Sequence, residues 1–273
     1  MSEKAAVSVS VLRSSSSGNS TLIWNRKHAI LVDCGLGPRV TEGLLGARGF
    51  SMGDLAGVLV THAHSDHSNP TALKNFFRRG IPIYCARGVE PVLMRELSGM
   101  IGHRFQTFSD EPFTVGSFRV TSFEVDHDSE GGCVGFSILS GDGGDAKKIS
   151  LVTDCGKPGG RIAQRMLDSH LILMASNYDA EMIQTTNVVP EYIKRKHILP
   201  YQPSNDDCAN VLLHVARASE VLPEAVYLLH ISKNHNTIKK ALARSRKVLH
   251  GAGYSQIRVL PTYRDAVSET TCL

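Results

Sequence analysis

Three histidines and an aspartate fall within six consecutive positions in the segment Thr61-His62-Ala63-His64-Ser65-Asp66-His67-Ser68. The apolar run Gly57-Val58-Leu59-Val60 stands directly before it, and Pro70 follows Asn69. The run predicts a buried strand over 57–60. Pro70 suits the first turn of a helix capped by Ser68 or Asn69 and predicts a helix over 71–79. Alternation along an extended segment points His62 and His64 the same way. A tight loop after them can turn Asp66 and His67 towards a second point beside the first. Neutral imidazole and carboxylate are ligands of zinc and its first-row neighbours. Two ions about 3.5–4 Å apart could activate one water and clamp both the attacked and the leaving oxygen. A solvated histidine-rich turn is the alternative, but four donors in this order make a metal centre the expectation.

The 273 residues, 42% of them hydrophobic, are enough for one large domain or two small ones. No linker or composition break interrupts them, so one domain over 1–273 is expected. Met1-Ser2-Glu3-Lys4 lacks the pattern of a signal peptide, and no apolar run approaches the roughly 18 residues of a membrane span. A cytoplasmic protein with no membrane partner is the expectation. Six cysteines are scattered without CxxC spacing, which argues against a zinc ribbon or a disulfide framework; most should be reduced and buried. A net charge of +4 suits an anionic substrate and falls short of a dedicated nucleic-acid binder.

Strands are expected over 7–11, 21–24, 29–32, 81–85, 113–115, 118–120, 134–139, 149–153, 171–175, 226–229 and 257–260. Helices are expected over 40–48, 89–97, 161–167, 188–196, 206–218 and 238–249. Short alternating strands between His103 and Phe123 imply sheet edges rather than a second domain. Ser17-Gly18-Asn19-Ser20 reads either as a loop whose backbone amides approach a substrate or as a plain hairpin turn. Gly141–Asp145 opens no helix and reads as a hairpin turn. The basic run Lys239, Lys240, Arg244, Arg246 and Lys247 reads as a solvated helix face. Four strands end in residues that carry chemistry: Asp33, His127, Asp154 and His230.

His62, His64, Asp66 and His67 together resemble the HxHxDH signature of the metallo-β-lactamase superfamily. The resemblance implies a four-layer αββα sandwich, two mixed β-sheets flanked by helices. Strand–helix units recur in both halves of the chain, each delivering donors at strand ends, which matches that fold. It also implies His62, His64 and His127 on a first ion, Asp66, His67 and His230 on a second, and Asp154 bridging the two. Asp33 would support the histidine loop from behind, with Cys34 an ordinary core residue. Two divalent ions are implied, zinc foremost, although such donors also accept manganese, iron or nickel.

Ser16–Ser20, Asp154-Cys155-Gly156, Ser176-Asn177-Tyr178-Asp179 and His230–Thr237 look most like the YycJ/WalJ group, associated with metal-dependent exonuclease or phosphodiesterase activity on DNA. A hydrolase acting on a phosphodiester substrate, DNA included, is therefore implied. The chain departs from the group at Ala175 and Tyr178, where a glutamate and a histidine are usual. It departs again at Tyr201-Gln202-Pro203-Ser204-Asn205, near which the group has Gly-His-Leu-Ser-Asn. A missing histidine leaves the leaving-group proton to another donor. Tyr178 and His235 are candidates by position beside the catalytic carboxylate Asp66, with ordinary packing as their alternative. Two other readings stay open: a hydrolase of a small non-phosphate ester, thioester or lactam on the same fold, and a metal-binding homologue without turnover.

Overall fold

The computed structural model describes residues 7–97 and 105–273. The readings made on Met1–Lys4 and at His103 lie outside them. Fourteen described strands are β1 (Val7–Arg13), β2 (Ser20–Asn25), β3 (Ala29–Val32), β4 (Leu55–Leu59), β5 (Ile83–Ala86), β6 (Gln106–Phe108), β7 (Phe113–Val115), β8 (Phe118–Val125), β9 (Cys133–Ser140), β10 (Lys147–Val152), β11 (Leu171–Ala175), β12 (Ala225–Leu229), β13 (Arg258–Pro261) and β14 (Thr271–Cys272). They form two seven-stranded sheets, ordered β14-β1-β2-β3-β4-β5-β6 and β13-β12-β11-β10-β9-β8-β7. Both sheets are mixed. Pairing is antiparallel from β14 to β3 and parallel from β3 to β6. In the second sheet it is antiparallel from β7 to β10 and parallel from β10 to β13. The expected edge strands are there: β6 and β7 each close one sheet.

Period-two patterning explains the stacking. In β11, Leu171 and Leu173 face the other sheet, joined by Tyr227 and Leu229 of β12 and by Ile30, Val32 and Leu59 of the first sheet. Their neighbours Ile172, Met174, Val226 and Leu228 face outwards. That outer face is covered by α4 (Gly160–Arg165), α7 (Asn205–Ala218) and α8 (Ile238–Gly251), through Ile162, Val211, Val215 and Leu249. On the other side, α1 (Pro38–Gly46), α2 (Pro70–Arg78) and α3 (Glu90–Glu96) cover Leu22, Leu31 and Val58 with Leu45, Phe76 and Leu93. Three apolar layers between four layers of secondary structure make the expected αββα sandwich.

One expected helix changes. The helix over 188–196 is shorter: Pro190 disfavours helix before it, and only α6 (Glu191–Ile193) is α-helical before a π-helical turn over Lys194–Ile198. A short helix α5 (Ala180–Thr185), capped by the Asp179 carboxylate accepting from the Met182 N–H, was not anticipated. Strand β14 was also missed, being two residues long. It pairs with β1 at Ser8 and Val9, and the buried Tyr227 hydroxyl ties it down through the Glu269 carbonyl at 2.6 Å and Thr271 Oγ1 at 2.7 Å. Tyr227→Phe should therefore lower stability by about 1–3 kcal/mol, read as a shift in the urea unfolding midpoint with an unchanged slope. Among the described residues no helix is long and apolar enough to cross a membrane. Of the six free cysteines, five are buried and Cys272 is exposed.

Candidate metal centre

The side chains picked out by sequence lie beyond the carboxyl ends of β4, β8, β10 and β12, strands from both sheets. Strand β4 stops at Leu59, three residues before His62, so strand alternation is not what aligns His62 with His64. The loop does it instead, closed by the His67 and Ser68 N–H groups donating to the His64 carbonyl, each at 2.9 Å. Asn69 then caps α2, its side chain accepting from the Thr71 and Ala72 N–H groups, with Pro70 in the first turn. The loop crosses Gly35 so closely that a Cβ there would stand 1.7 Å from the Asp66 carbonyl oxygen.

Three donor groups result, each with its atoms within 4.8 Å of one another: His62, His64 and His127; His62, His67 and Asp154; Asp66, His67 and His230. In the first, His64 Nδ1 lies 3.1 Å from His62 Nε2 and 3.2 Å from His127 Nε2. In the third, Asp66 Oδ2 lies 3.6 Å from His67 Nε2 and 3.5 Å from His230 Nε2. Asp154 stands between them, with Oδ2 2.8 Å from His67 Nε2 and 3.9 Å from His62 Nε2, and Oδ1 3.7 Å from His230 Nε2. Two of the strand-end residues are in left-handed backbone conformations, Asp33 at φ 61° and His230 at φ 52°. Such geometry costs a non-glycine residue on the order of 1–3 kcal/mol and is found where a site demands it.

Outer partners orient the rings. The buried Asp33 carboxylate accepts from the Thr61 N–H at 2.9 Å, the Thr61 hydroxyl at 3.0 Å and His67 Nδ1 at 2.7 Å. Thr61 Oγ1 in turn sits 3.0 Å from His62 Nδ1, and the Tyr201 carbonyl accepts from His127 Nδ1 at 3.1 Å. With Nδ1 carrying the proton in these three rings, Nε2 presents its lone pair to the cluster, the form a metal requires. Asn19, in the serine-rich turn between β1 and β2, brings its amide nitrogen to 2.9 Å from His67 Nε2 and 3.4 Å from Asp66 Oδ2. The turn is thus a hairpin that also backs the site. The sequence marked the segments of Asn19 and Asn177 without indicating that Asn19 or Thr61 would meet these rings, or that the Asn177 amide nitrogen would lie 2.9 Å from His230 Nδ1.

Burial pushes His62 well below the ordinary imidazole pKa, and the neighbouring His67 adds to the effect. Burial works against charge on His67 as well, but Asp33 and Asp154 outweigh it and raise His67 well above the usual value. His230 is raised despite burial by Asp154 and Asp66. Burial opposes the Asp154 carboxylate, yet His230 and His67 hold it well below the usual range. The carboxylates thus gather positive charge among these histidines, and divalent cations fit the same donors by displacing protons.

The other two predicted residues are buried and belong to none of the three donor groups. Tyr178 is buried in an isolated bridge with Ser204, and burial followed by Asp207 raises its pKa. His235 is buried with Nε2 unpartnered, and burial lowers its pKa. Among the described residues neither side chain hydrogen-bonds to the donor groups.

A layered sandwich that gathers imidazoles and carboxylates at the carboxyl ends of its strands defines a divalent-metal-dependent hydrolase. The chain belongs to the metallo-β-lactamase superfamily: the family described as "Beta-lactamase superfamily domain" matches residues 28–231. It is related to the YycJ/WalJ group. It is 29% identical over 251 residues to "Exodeoxyribonuclease YycJ" of Bacillus anthracis, covering 90% of each chain. It is 27% identical to "Exodeoxyribonuclease WalJ" of Streptococcus pneumoniae serotype 2, covering 83% of this chain and 82% of the relative. In fold it is similar to the metallo-β-lactamase fold protein YhfI from Bacillus subtilis, with a TM-score of 0.73, 15% identity, and coverage of 98% of this chain and 100% of that one.

Proposed function

We propose that this protein hydrolyses phosphodiester bonds in DNA or nucleotides with two divalent ions, zinc being the best match to an imidazole and carboxylate donor set. His62, His64 and His127 would hold the first ion, and Asp66, His67 and His230 the second, with Asp154 between. The observation that carries the reading is the convergence of these seven side chains into three overlapping donor groups. The relationship to two exodeoxyribonucleases over most of the chain supports DNA as the substrate class. Bound ions would lower the pKa of a water and offset the charge that develops on a phosphate oxygen.

The chain's own residues define the rest. His62, His67, Asp154 and His230 are buried, whereas His64 is exposed and Asp66 keeps 24% of its side-chain surface open. Substrate would therefore approach on the His64 and Asp66 side, and Asp66 is the clustered carboxylate that faces it. Tyr178 and His235 are buried and, among the described residues, make no side-chain hydrogen bond to these donors, so we assign neither a step. We read residues 1–273 as one domain, because both sheets share the central apolar layer. Five buried, unpaired thiols suit a reducing compartment, and we place the protein in the cytoplasm.

The test is hydrolysis of bis(p-nitrophenyl) phosphate with added Zn(II) or Mn(II), the Asp66→Ala variant run alongside. Changing an outer partner of a metal ligand costs about 10–100-fold, so removing the ligand itself should cost more than that. Turnover that survives in the variant, or no turnover with both ions bound, would sink the phosphodiesterase reading.

A further inference from the structure

Two consecutive residues, Tyr201 and Gln202, reach both halves of the donor cluster. The Tyr201 carbonyl holds His127, and Gln202 Nε2 donates to Asp154 Oδ1 at 2.8 Å. Asp154 stands between the two ligand groups, and Oδ1, the atom that Gln202 holds, is the one beside His230, so its orientation weighs most on the second group. The terminal torsion of an aspartate is broad, and a donor on Oδ1 selects the orientation that keeps Oδ2 facing His62 and His67. The contact from His67 Nε2 does not serve this purpose once that nitrogen gives its lone pair to an ion. Among the described residues Gln202 is then the one non-histidine side chain that donates to this carboxylate.

The amide holds this orientation although it leaves Oε1 buried without a partner. Flipping it would aim an oxygen at a carboxylate, the worse arrangement. Gln202 is also neutral, so it holds Asp154 without adding positive charge to a cluster that must accept cations. The segment around it is pinned at both ends. The Gln202 N–H donates to the Ile198 carbonyl at 2.9 Å, and Ser204 two residues later caps α7 in a reciprocal pair with Asp207. Gly156, two residues after Asp154, lets the Pro200 carbonyl come in where a Cβ would stand 2.6 Å from its oxygen.

We propose that Gln202 is a positioning residue of this centre: its amide fixes Asp154 across the two ligand groups and thereby sets how tightly the second ion is held. The proposal rests on the two-ion reading above.

The test is a Zn(II) titration of the purified full chain against a chromogenic chelator, with no substrate present. Wild type, Gln202→Met, Gln202→Glu and Gln202→His are compared, with circular dichroism on each. Met keeps the length without the donor, Glu keeps the shape and sets a carboxylate against Asp154, and His restores an N–H. The wild type should take up two ions. Met and Glu should each weaken the second ion by about 10–100-fold while the first stays within about twofold, and His should recover most of the loss. Equal retention of both ions in a folded Met or Glu variant overturns the proposal, as does equal weakening of both ions together with lost structure. A wild type that binds fewer than two ions overturns the two-ion reading, and the proposal with it. That outcome is visible before any variant is measured.

Discussion

The Asp33→Ala protein is expected to be roughly 3–5 kcal/mol less stable than the wild type, the range for breaking a buried charged pair. It should also bind metal about 10–100-fold more weakly, as expected when an outer partner is lost. The carboxylate is buried and accepts from the Thr61 N–H, the Thr61 hydroxyl and His67 Nδ1. Alanine leaves all three donors buried and unpaired and frees the His67 ring to rotate. Asp33→Asn separates the two losses, since it keeps the shape and most of the packing while weakening the grip on His67. Chemical denaturation and metal titration of the two variants measure each effect. An alanine variant within about 1 kcal/mol of the wild type would show that the network is not the support described.

Gly35→Ala should be comparably severe for a different reason. Its new Cβ would meet the Asp66 carbonyl oxygen at 1.7 Å and the Asn19 backbone nitrogen at 2.9 Å, both main-chain atoms with little freedom to yield. Overpacking typically costs about 1–3 kcal/mol where side chains can adjust, and here the metal loop itself must move. The expected result is a lower melting temperature together with weaker divalent-metal binding, because displacing Asp66 also displaces His67 beside it. A variant that melts normally and binds divalent metal as the wild type does would show that the loop has slack.

The histidine loop was legible because its four donors fall within six positions, bracketed by an apolar strand and a capped helix. His127, Asp154 and His230 are single residues at strand ends, and only the resemblance to a family gave them a meaning; folding brings them to the loop. The layers followed from alternation in strands such as β11, where 171 and 173 face one way and 172 and 174 the other. What stayed hidden depends on contacts between segments far apart in the chain. Asn19 meets His67, Thr61 links Asp33 to His62, and Gln202 meets Asp154, in each case through an ordinary polar side chain whose local sequence does not say which residue it will meet. Strand β14 was hidden because two residues are too few for a periodicity, and the π-turn over 194–198 because its composition is that of any basic helix.

The pairing of Ser8 with Cys272 also bears on how the protein is made. A chain emerging from the ribosome presents β1 first and β14 last, so one edge of the first sheet waits through synthesis of the second sheet before it is covered. An uncovered strand edge invites pairing with other chains, and segments awaiting distant partners are where nascent proteins misassociate. Translation arrested before residue 271 would leave that edge bare, and such truncated chains should aggregate more readily than full-length protein released at the same rate.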